Sequence, residues 1–433
     1  MQKKMKDQQI IVLVIAVGVA VILGGSIATK VLATQAETYE KLKILSEVLY
    51  LIQTNYVEEV DTQEVVYGAI HGMLKVLDPH SSFMPPDMYQ EMQVETRGNF
   101  GGLGIQIGIK DNQLTVIAPI DDTPAFRAGI EAGDKILRIE EQSTNDMTLM
   151  EAVKLLRGPK GSQVTITIMR DSFEKPREFT LVRDIIEIKS VSYRMLVQNI
   201  GYLRLRQFQE DSANEMEDAL RDLEENGMEA LILDLRSNPG GLLNSAVEIA
   251  DKFLEKGKLI VYTEGRKKNQ DMRFVAHQEF THPNYPMVVL VDHGSASASE
   301  IVAGALQANS RAVIIGTQTY GKGSVQSVIP LSDNSGLRLT TALYYTPDGK
   351  SIHEKGITPD IVIAFEPPTK EVSEDAQPEA SQDETSPPKE EGEETPEAKN
   401  PEEEAEQMLM RDVQLQRAVD VLRGILIFEK QSV

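Results

Sequence analysis

The chain has 433 residues, 41% of them hydrophobic and none of them cysteine, with a formal charge of -23. This length admits two or three folded units, while the missing cysteines exclude disulfides, thiolate metal sites and a thiol nucleophile. Between Glu366 and Gln407 sixteen acidic residues face three lysines; the remainder is mildly acidic, lacks the basic clusters that nucleic-acid phosphates require, and scatters its six histidines without metal-ligand spacing.

In chain order, residues 1–36 come first. Lys3, Lys4 and Lys6 precede a stretch from Ile10 to Thr29 with no charged side chain, about the length that spans a bilayer's hydrocarbon. Lysines on the cytoplasmic side and an exported, extracytoplasmic remainder are expected. Val31-Leu32-Ala33 offers a signal-peptidase site, but the apolar run is longer than a signal peptide's usual core and Lys30 interrupts the approach. An uncleaved anchor in the membrane is the favoured expectation.

Residues 37–97 place apolar side chains three and four apart, as in Leu42, Leu45, Val48, Leu49 and Ile52, which predicts a helical region. Asp78-Pro79-His80 breaks that pattern. Over residues 98–186 the period becomes two: Leu103, Ile105, Ile107 and Ile109, a turn at Asp111-Asn112, then Leu114, Val116 and Ala118. Helices are predicted at Ala125 to Ala128 and Met147 to Leu156, and a strand through Val164, Ile166 and Ile168. Strands with two helices make a compact module.

Residues 187–365 alternate strand and helix, an α/β core. Strands are predicted at Tyr202 to Leu205, Ala230 to Leu235, Met287 to Val291 and Ala312 to Ile315, with helices from Ser212, from Leu242 and from Ala298. Residues 366–407, proline-rich, acidic and without aromatics, are expected to be disordered. Residues 408–433 regain helical spacing.

The stretch HGSASASEIVAGAL, 293 to 306, sets Ser295, Ser297 and Ser299 at a junction between an apolar strand and an apolar helix. Unpaired N–H groups and a positive dipole at such a helix start favour an oxyanion, although serine is also an ordinary cap there. His293 lies too close along the turn to approach a serine Oγ from the side opposite those amides. A lysine base is the alternative. Lys322, in TYGKGSVQ, is flanked by Gly321 and Gly323, which let the chain turn tightly into a confined site. Its solution pKa of about 10.4 must fall by roughly three units for it to be neutral near pH 7, which burial of the ammonium supplies. Gln326, four residues on, offers a carbonyl to hold the amine. The competing readings of a Gly-Lys-Gly loop are a solvent-exposed turn or a phosphate cradle, and the Walker pattern GxxxxGK(S/T) is absent because Gly323 follows the lysine.

The pairing of GSASASEIVAGAL with TYGKGSVQ, preceded by LILDLRSNPGGLL and GAIHGMLKVLDPHSSFM, resembles the carboxyl-terminal processing peptidases, or tail-specific proteases. These are serine endopeptidases with a Ser/Lys dyad and an inserted PDZ domain. The resemblance implies that Ser297 is the nucleophile, Lys322 its general base and Gln326 the orienting partner. It implies oxyanion donors at the backbone N–H of Ala298 and of Gly240 or Gly241. It makes 98–186 a PDZ domain, with Gly102, Leu103, Gly104 and Ile105 as the carboxylate-binding loop for a peptide added at the sheet edge, and 187–365 the protease core. Asp292-His293 departs from the asparagine and small or polar residue common in the family, a loop variation. The implied partners are proteins with unstructured C-terminal tails, a second copy of the chain and an adaptor protein, with no cofactor or metal. A PDZ scaffold without catalysis and an esterase or amidase with the same dyad are the competing readings.

Overall fold

Along three apolar stretches Leu203, Leu205, Leu231, Leu233, Val289 and Val291 are buried on one side, and Tyr202, Ile232, Val288 and Leu290 on the other. A strand buried on both faces reads as a continuous apolar run, and Met287–Val291 accordingly has no polar side chain. The structure, a computed structural model, describes residues 39–277, 282–364 and 409–431. The uncharged segment at 10–29 and the acidic segment at 366–407 lie outside the described residues. Among the described residues no helix is long and apolar enough to cross a membrane.

Those stretches belong to a six-stranded sheet with the spatial order Val191–Met195, Ile200–Leu205, Ala230–Asp234, Met287–Val291, Val313–Gly316 and Ile361–Val362. The first pair is antiparallel and the others are parallel. Helices Ser212–Glu225, Leu243–Asp251 and Ala298–Ala308 cover one face through Met216, Leu220, Ile249 and Val302. The helix Val413–Gln431 covers the other through Leu415, Ala418, Val419 and Leu422. Parallel strands with helical crossovers bring the ends of Ala230–Asp234 and Met287–Val291 to one rim, where α/β folds place their sites. A second, antiparallel sheet of Ser324–Pro330, Gly336–Tyr345, Leu259–Gly265 and Met272–Val275 adds strands that the alternation of helix and strand did not predict.

The period-two region forms a separate sheet of Ile105–Lys110, Gln113–Pro119, Lys135–Ile139, Gln163–Met169 and Arg177–Val182. Asp111 and Asn112 both have positive φ, 50° and 62°, as a two-residue hairpin requires. Helix Leu149–Leu156 starts with a reciprocal capping box between Thr148 and Glu151. The chain enters this module through Asn99–Gly102 and leaves through Asp184–Glu187, and the two segments pair antiparallel. That pairing ties the ends of the insertion together.

The described residues from 39 up to Phe83 belong to a compact unit of their own. Its described part holds a helix over 39–55 and the helix Thr62–Lys75, whose start is capped by Asp61 accepting from Gln63 N–H at 2.7 Å. The break at Asp78-Pro79-His80 is a turn in which Asp78 Oδ1 accepts from the amides of His80 and Ser81, each at 2.8 Å.

Gly316 ends the core strand beside Met287–Val291, has φ +137°, and a Cβ there would stand 1.8 Å from the Val291 carbonyl oxygen. No flexible side chain can yield to it. Gly316→Ala should lower the melting temperature of the core by roughly 6 °C or more; an unchanged melting curve by calorimetry would contradict this packing.

Candidate active site

The strand Met287–Val291 delivers the chain into a turn that Asp292 organises. Its Oδ1 accepts from Gly294 N–H at 2.9 Å and from Ser237 N–H at 2.8 Å, joining the turn to the neighbouring Arg236–Gly241 loop. The three serines then part company. Ser295 is fully buried, donates to the Leu235 carbonyl at 2.8 Å and accepts from Asp292 N–H. Ser299 is fully buried and donates to the Asn238 carbonyl at 2.9 Å. Ser297 lies between them, half-buried and on the wall of a cleft of about 630 Å³. Its φ of +54° and ψ of -112° are rare for a residue with a side chain, and strain of this kind is characteristic of functional turns.

Lys322 lines the same cleft. Gly321 takes φ +90°, and Gly323 passes so close to the His353 backbone that a Cβ would sit 2.1 Å from its nitrogen. Both flanking glycines are therefore required by geometry. Burial and the nearby Arg338 guanidinium hold the Lys322 pKa below its ordinary value, against the opposing pull of the Glu300 carboxylate. Arg338 is half-buried on the cleft wall and has no carboxylate partner among the described residues. His293 is exposed and packs on Tyr320, ring centroids 5.6 Å apart.

Glu300 joins the two loops. This fully buried carboxylate accepts from Ser297 N–H at 2.8 Å, Gly321 N–H at 2.7 Å, Lys322 N–H at 2.9 Å and the Thr319 hydroxyl at 2.6 Å. Burial pushes its pKa up and all four bonds pull it down, with burial the larger influence. The residue was not singled out from the sequence, although Ser297-x-x-Glu300 has the spacing of a capping box, a legible signal.

Gln326 also faces the cleft. Its amide donates to Ser324 Oγ at 3.0 Å and Thr340 Oγ1 at 2.8 Å, leaving a buried Oε1 without a partner. The pairing with Gly336–Tyr345 shifts register between Val325 and Gln326, a bulge that re-aims the side chains on either side. No hydrogen bond joins Ser297 Oγ to Lys322 Nζ among the described residues. Such bonds are often long until substrate is present.

The Arg236–Gly241 loop completes the rim. Gly240 has φ +100°, and a Cβ on it would reach within 2.8 Å of Ser297 Cβ and 2.9 Å of Ala298 N. Its N–H is engaged, however, donating to Asn238 Oδ1 at 2.9 Å. The N–H groups of Gly241 and Ala298 donate to no other group among the described residues. Asn238, which the sequence did not mark, thus separates the two glycines.

In the inserted module Gly102 ends one strand, Ile105 starts the next, and Leu103-Gly104 form the loop between them. A narrow groove of about 70 Å³ opens there against Val153 and Leu156 of the helix Leu149–Leu156. The Leu103 and Gly104 carbonyls are taken by the amides of Ala125 and Ile120, while their own amides donate to nothing among the described residues. Arg157, at the groove, stacks on Phe100 and ion-pairs with Glu91 of Pro86–Arg97, a helix that lines the larger cleft.

Comparison with known proteins agrees with this architecture. Residues 199–363 match the model of peptidase family S41, 91–169 that of the PDZ domain, and 25–88 that of the activating protease CtpB N-terminal domain. The chain is 47% identical over 354 residues to a carboxy-terminal-processing protease of Bartonella bacilliformis, covering 81% of this chain and 80% of that one. It is 42% identical over 322 residues to a carboxyl-terminal-processing protease of Synechocystis, covering 72% and 75%. Among solved structures, the photosystem II D1 C-terminal processing protease matches with 31% identity and a TM-score of 0.44, over 71% of this chain and 84% of that one. The class is thus a serine-type peptidase carrying a PDZ domain. The chain belongs to peptidase family S41, among the carboxy-terminal-processing proteases.

Glu300→Gln keeps the volume but puts an amide where donors converge. Peptide turnover should fall on the order of 10²-fold with a native circular dichroism spectrum; turnover equal to wild type would show that the four bonds do not set the site.

Proposed function

We propose that the protein is a serine endopeptidase that cleaves proteins near their C-termini, with Ser297 as nucleophile and neutral Lys322 as general base. The observation that carries the reading is the division among the serines. Ser295 and Ser299 are buried and hydrogen-bonded to backbone carbonyls, whereas Ser297 faces the cleft that Lys322 also lines. Lys322 Nζ accepts the hydroxyl proton as Oγ attacks the peptide carbonyl carbon, and the tetrahedral oxyanion takes hydrogen bonds from Ala298 and Gly241 N–H. The amine leaves with the proton returned by Lys322, and water, activated by the same lysine, hydrolyses the acyl-enzyme. Gln326 Oε1, buried without a partner, orients the lysine amine. Gly240 shapes the hole by bringing its bare backbone against Ser297 and Ala298.

The PDZ groove supplies the substrate class. Free amides at Leu103 and Gly104 fit a terminal carboxylate, with Ile105 opening the strand edge on which a peptide tail adds. The reading retains the segment at 10–29 as a membrane anchor and places catalysis on the extracytoplasmic side. The N-terminal helices and the last helix are its candidate surfaces for a second copy or an adaptor.

Ser297→Ala and Lys322→Ala should each reduce cleavage of an unstructured tail on the order of 10⁴-fold or more, measured by mass spectrometry of the products. Wild-type cleavage by either variant would end the assignment.

The sign of the pH dependence follows from the lysine. A base must be unprotonated, so activity rises with pH through the folded pKa of Lys322, which burial and Arg338 hold below the ordinary lysine value. Arg338→Gln removes a neighbouring positive charge, raises that pKa and should move the acid limb of the kcat profile to higher pH. A limb unmoved, or moved to lower pH, would contradict the electrostatics.

A further inference from the structure

We infer that Asp412, at the head of the C-terminal helix, is a positioning residue for the peptidase reaction: through Arg236 it holds the loop that carries the Gly241 amide. The inference rests on the Ser297–Lys322 reading and extends it to a part of the chain 115 residues beyond the first and 90 beyond the second.

Arg236 is the first residue of the loop and is 9% exposed. Its Nε and Nη2 bond to the fully buried Asp234, at 3.0 Å and 2.6 Å, and its own N–H donates to Asp234 Oδ1 at 2.9 Å. Among the described residues the other side of the guanidinium is met only by the C-terminal segment: Nη1 donates to Asp412 Oδ1 at 2.9 Å and to Gln414 Oε1 at 3.1 Å, and Nη2 lies 2.7 Å from Asp412 Oδ2. Burial alone would lower the Arg236 pKa, but the two aspartates outweigh it and raise it. A buried guanidinium must have all its donors placed, or it shifts towards water. Asp234 is held in turn by the Tyr202 hydroxyl at 2.7 Å, so the movable partner is Arg236 and the backbone attached to it.

The C-terminal end of the network is equally anchored. Asp412 Oδ1 accepts from Leu415 N–H at 3.0 Å, Gln414 Nε2 donates to the Ile363 carbonyl at 2.8 Å, and Leu415 and Leu422 are fully buried against the sheet. A fixed carboxylate therefore stands beyond the strand ends and fixes Arg236. Five residues on, the same loop carries Gly241, the oxyanion donor of the proposed reaction, directly after Gly240, whose backbone lies against Ser297 and Ala298. Displacing one oxyanion donor weakens the tetrahedral state selectively, since that charge exists only after attack. Substrate binding in the groove and cleft does not use Arg236.

The test is carried out on the full chain. Asp412→Ala should lower kcat about tenfold or more, weaken a peptide boronate, which forms a tetrahedral adduct on the serine, by a similar factor, and leave KM for the tail peptide within about twofold. Asp412→Asn, which keeps an acceptor for Nη1, should recover part of the loss. Active-site titration normalises both variants to folded protein. An unchanged kcat and boronate affinity overturns the inference, and so does a loss that disappears on normalisation or that falls on KM alone. Ser297→Ala run in parallel separates the two readings. If it is active the dyad fails, whereas an inactive Ser297→Ala beside a normal Asp412→Ala removes only the positioning role.

Discussion

One buried carboxylate connects the two loops on which the chemistry depends. Glu300 sits in the first turn of Ala298–Ala308 and receives the amide before that helix together with two consecutive amides of the lysine loop. Ser297 and Lys322 are 25 positions apart in sequence and lie in loops that follow different strands. A shared acceptor with three backbone donors sets their separation more tightly than side-chain packing could, because amide directions are fixed by the backbone. An anion in a dry site is costly unless it is saturated with donors. The same bonds that make Glu300 tolerable thus bring the serine turn and the lysine loop together.

Around that point the core acts as a frame. The parallel strands bring Asp234 and Val291 to neighbouring ends, so that the Arg236–Gly241 loop and the serine turn face each other and are joined by Asp292. The antiparallel sheet supplies the opposite wall, with Lys322, Gln326 and Arg338 on it. Two cations in one cleft disfavour each other's charged form. Here the Arg338 guanidinium adds to burial in lowering the pKa of the lysine. The PDZ domain, closed at its base by two short paired strands, is joined to a helix of the cleft wall through Arg157 and Glu91.

Much of the fold was legible because its signals are local. Alternating apolar residues and the Asp111-Asn112 turn marked the PDZ hairpin, and the unbroken apolar run at 287–291 marked a central strand. The strands Ser324–Pro330 and Gly336–Tyr345 are an antiparallel excursion that the strand-helix rhythm of the surrounding sequence conceals. In the site, residue types and spacing left three serines and two glycines open. What separates them is non-local: Leu235 and Asn238, some sixty positions upstream, supply the carbonyls that occupy Ser295 and Ser299, and Asn238 Oδ1 occupies Gly240 N–H. The Arg236–Asp412 pair, its members 176 positions apart, has no sequence signature at all.

The central claim is that a serine at the mouth of a helix gives up its proton to an uncharged lysine. Reaction of the protein with an activated ester of a tail peptide, followed by mass spectrometry of the quenched and digested chain, examines that step directly. The account predicts an acyl group on the Ser297 peptide in the wild type, and none in Lys322→Ala over the same time. An acyl group on Ser295, Ser299 or any other residue, or equal acylation without the lysine, would contradict it.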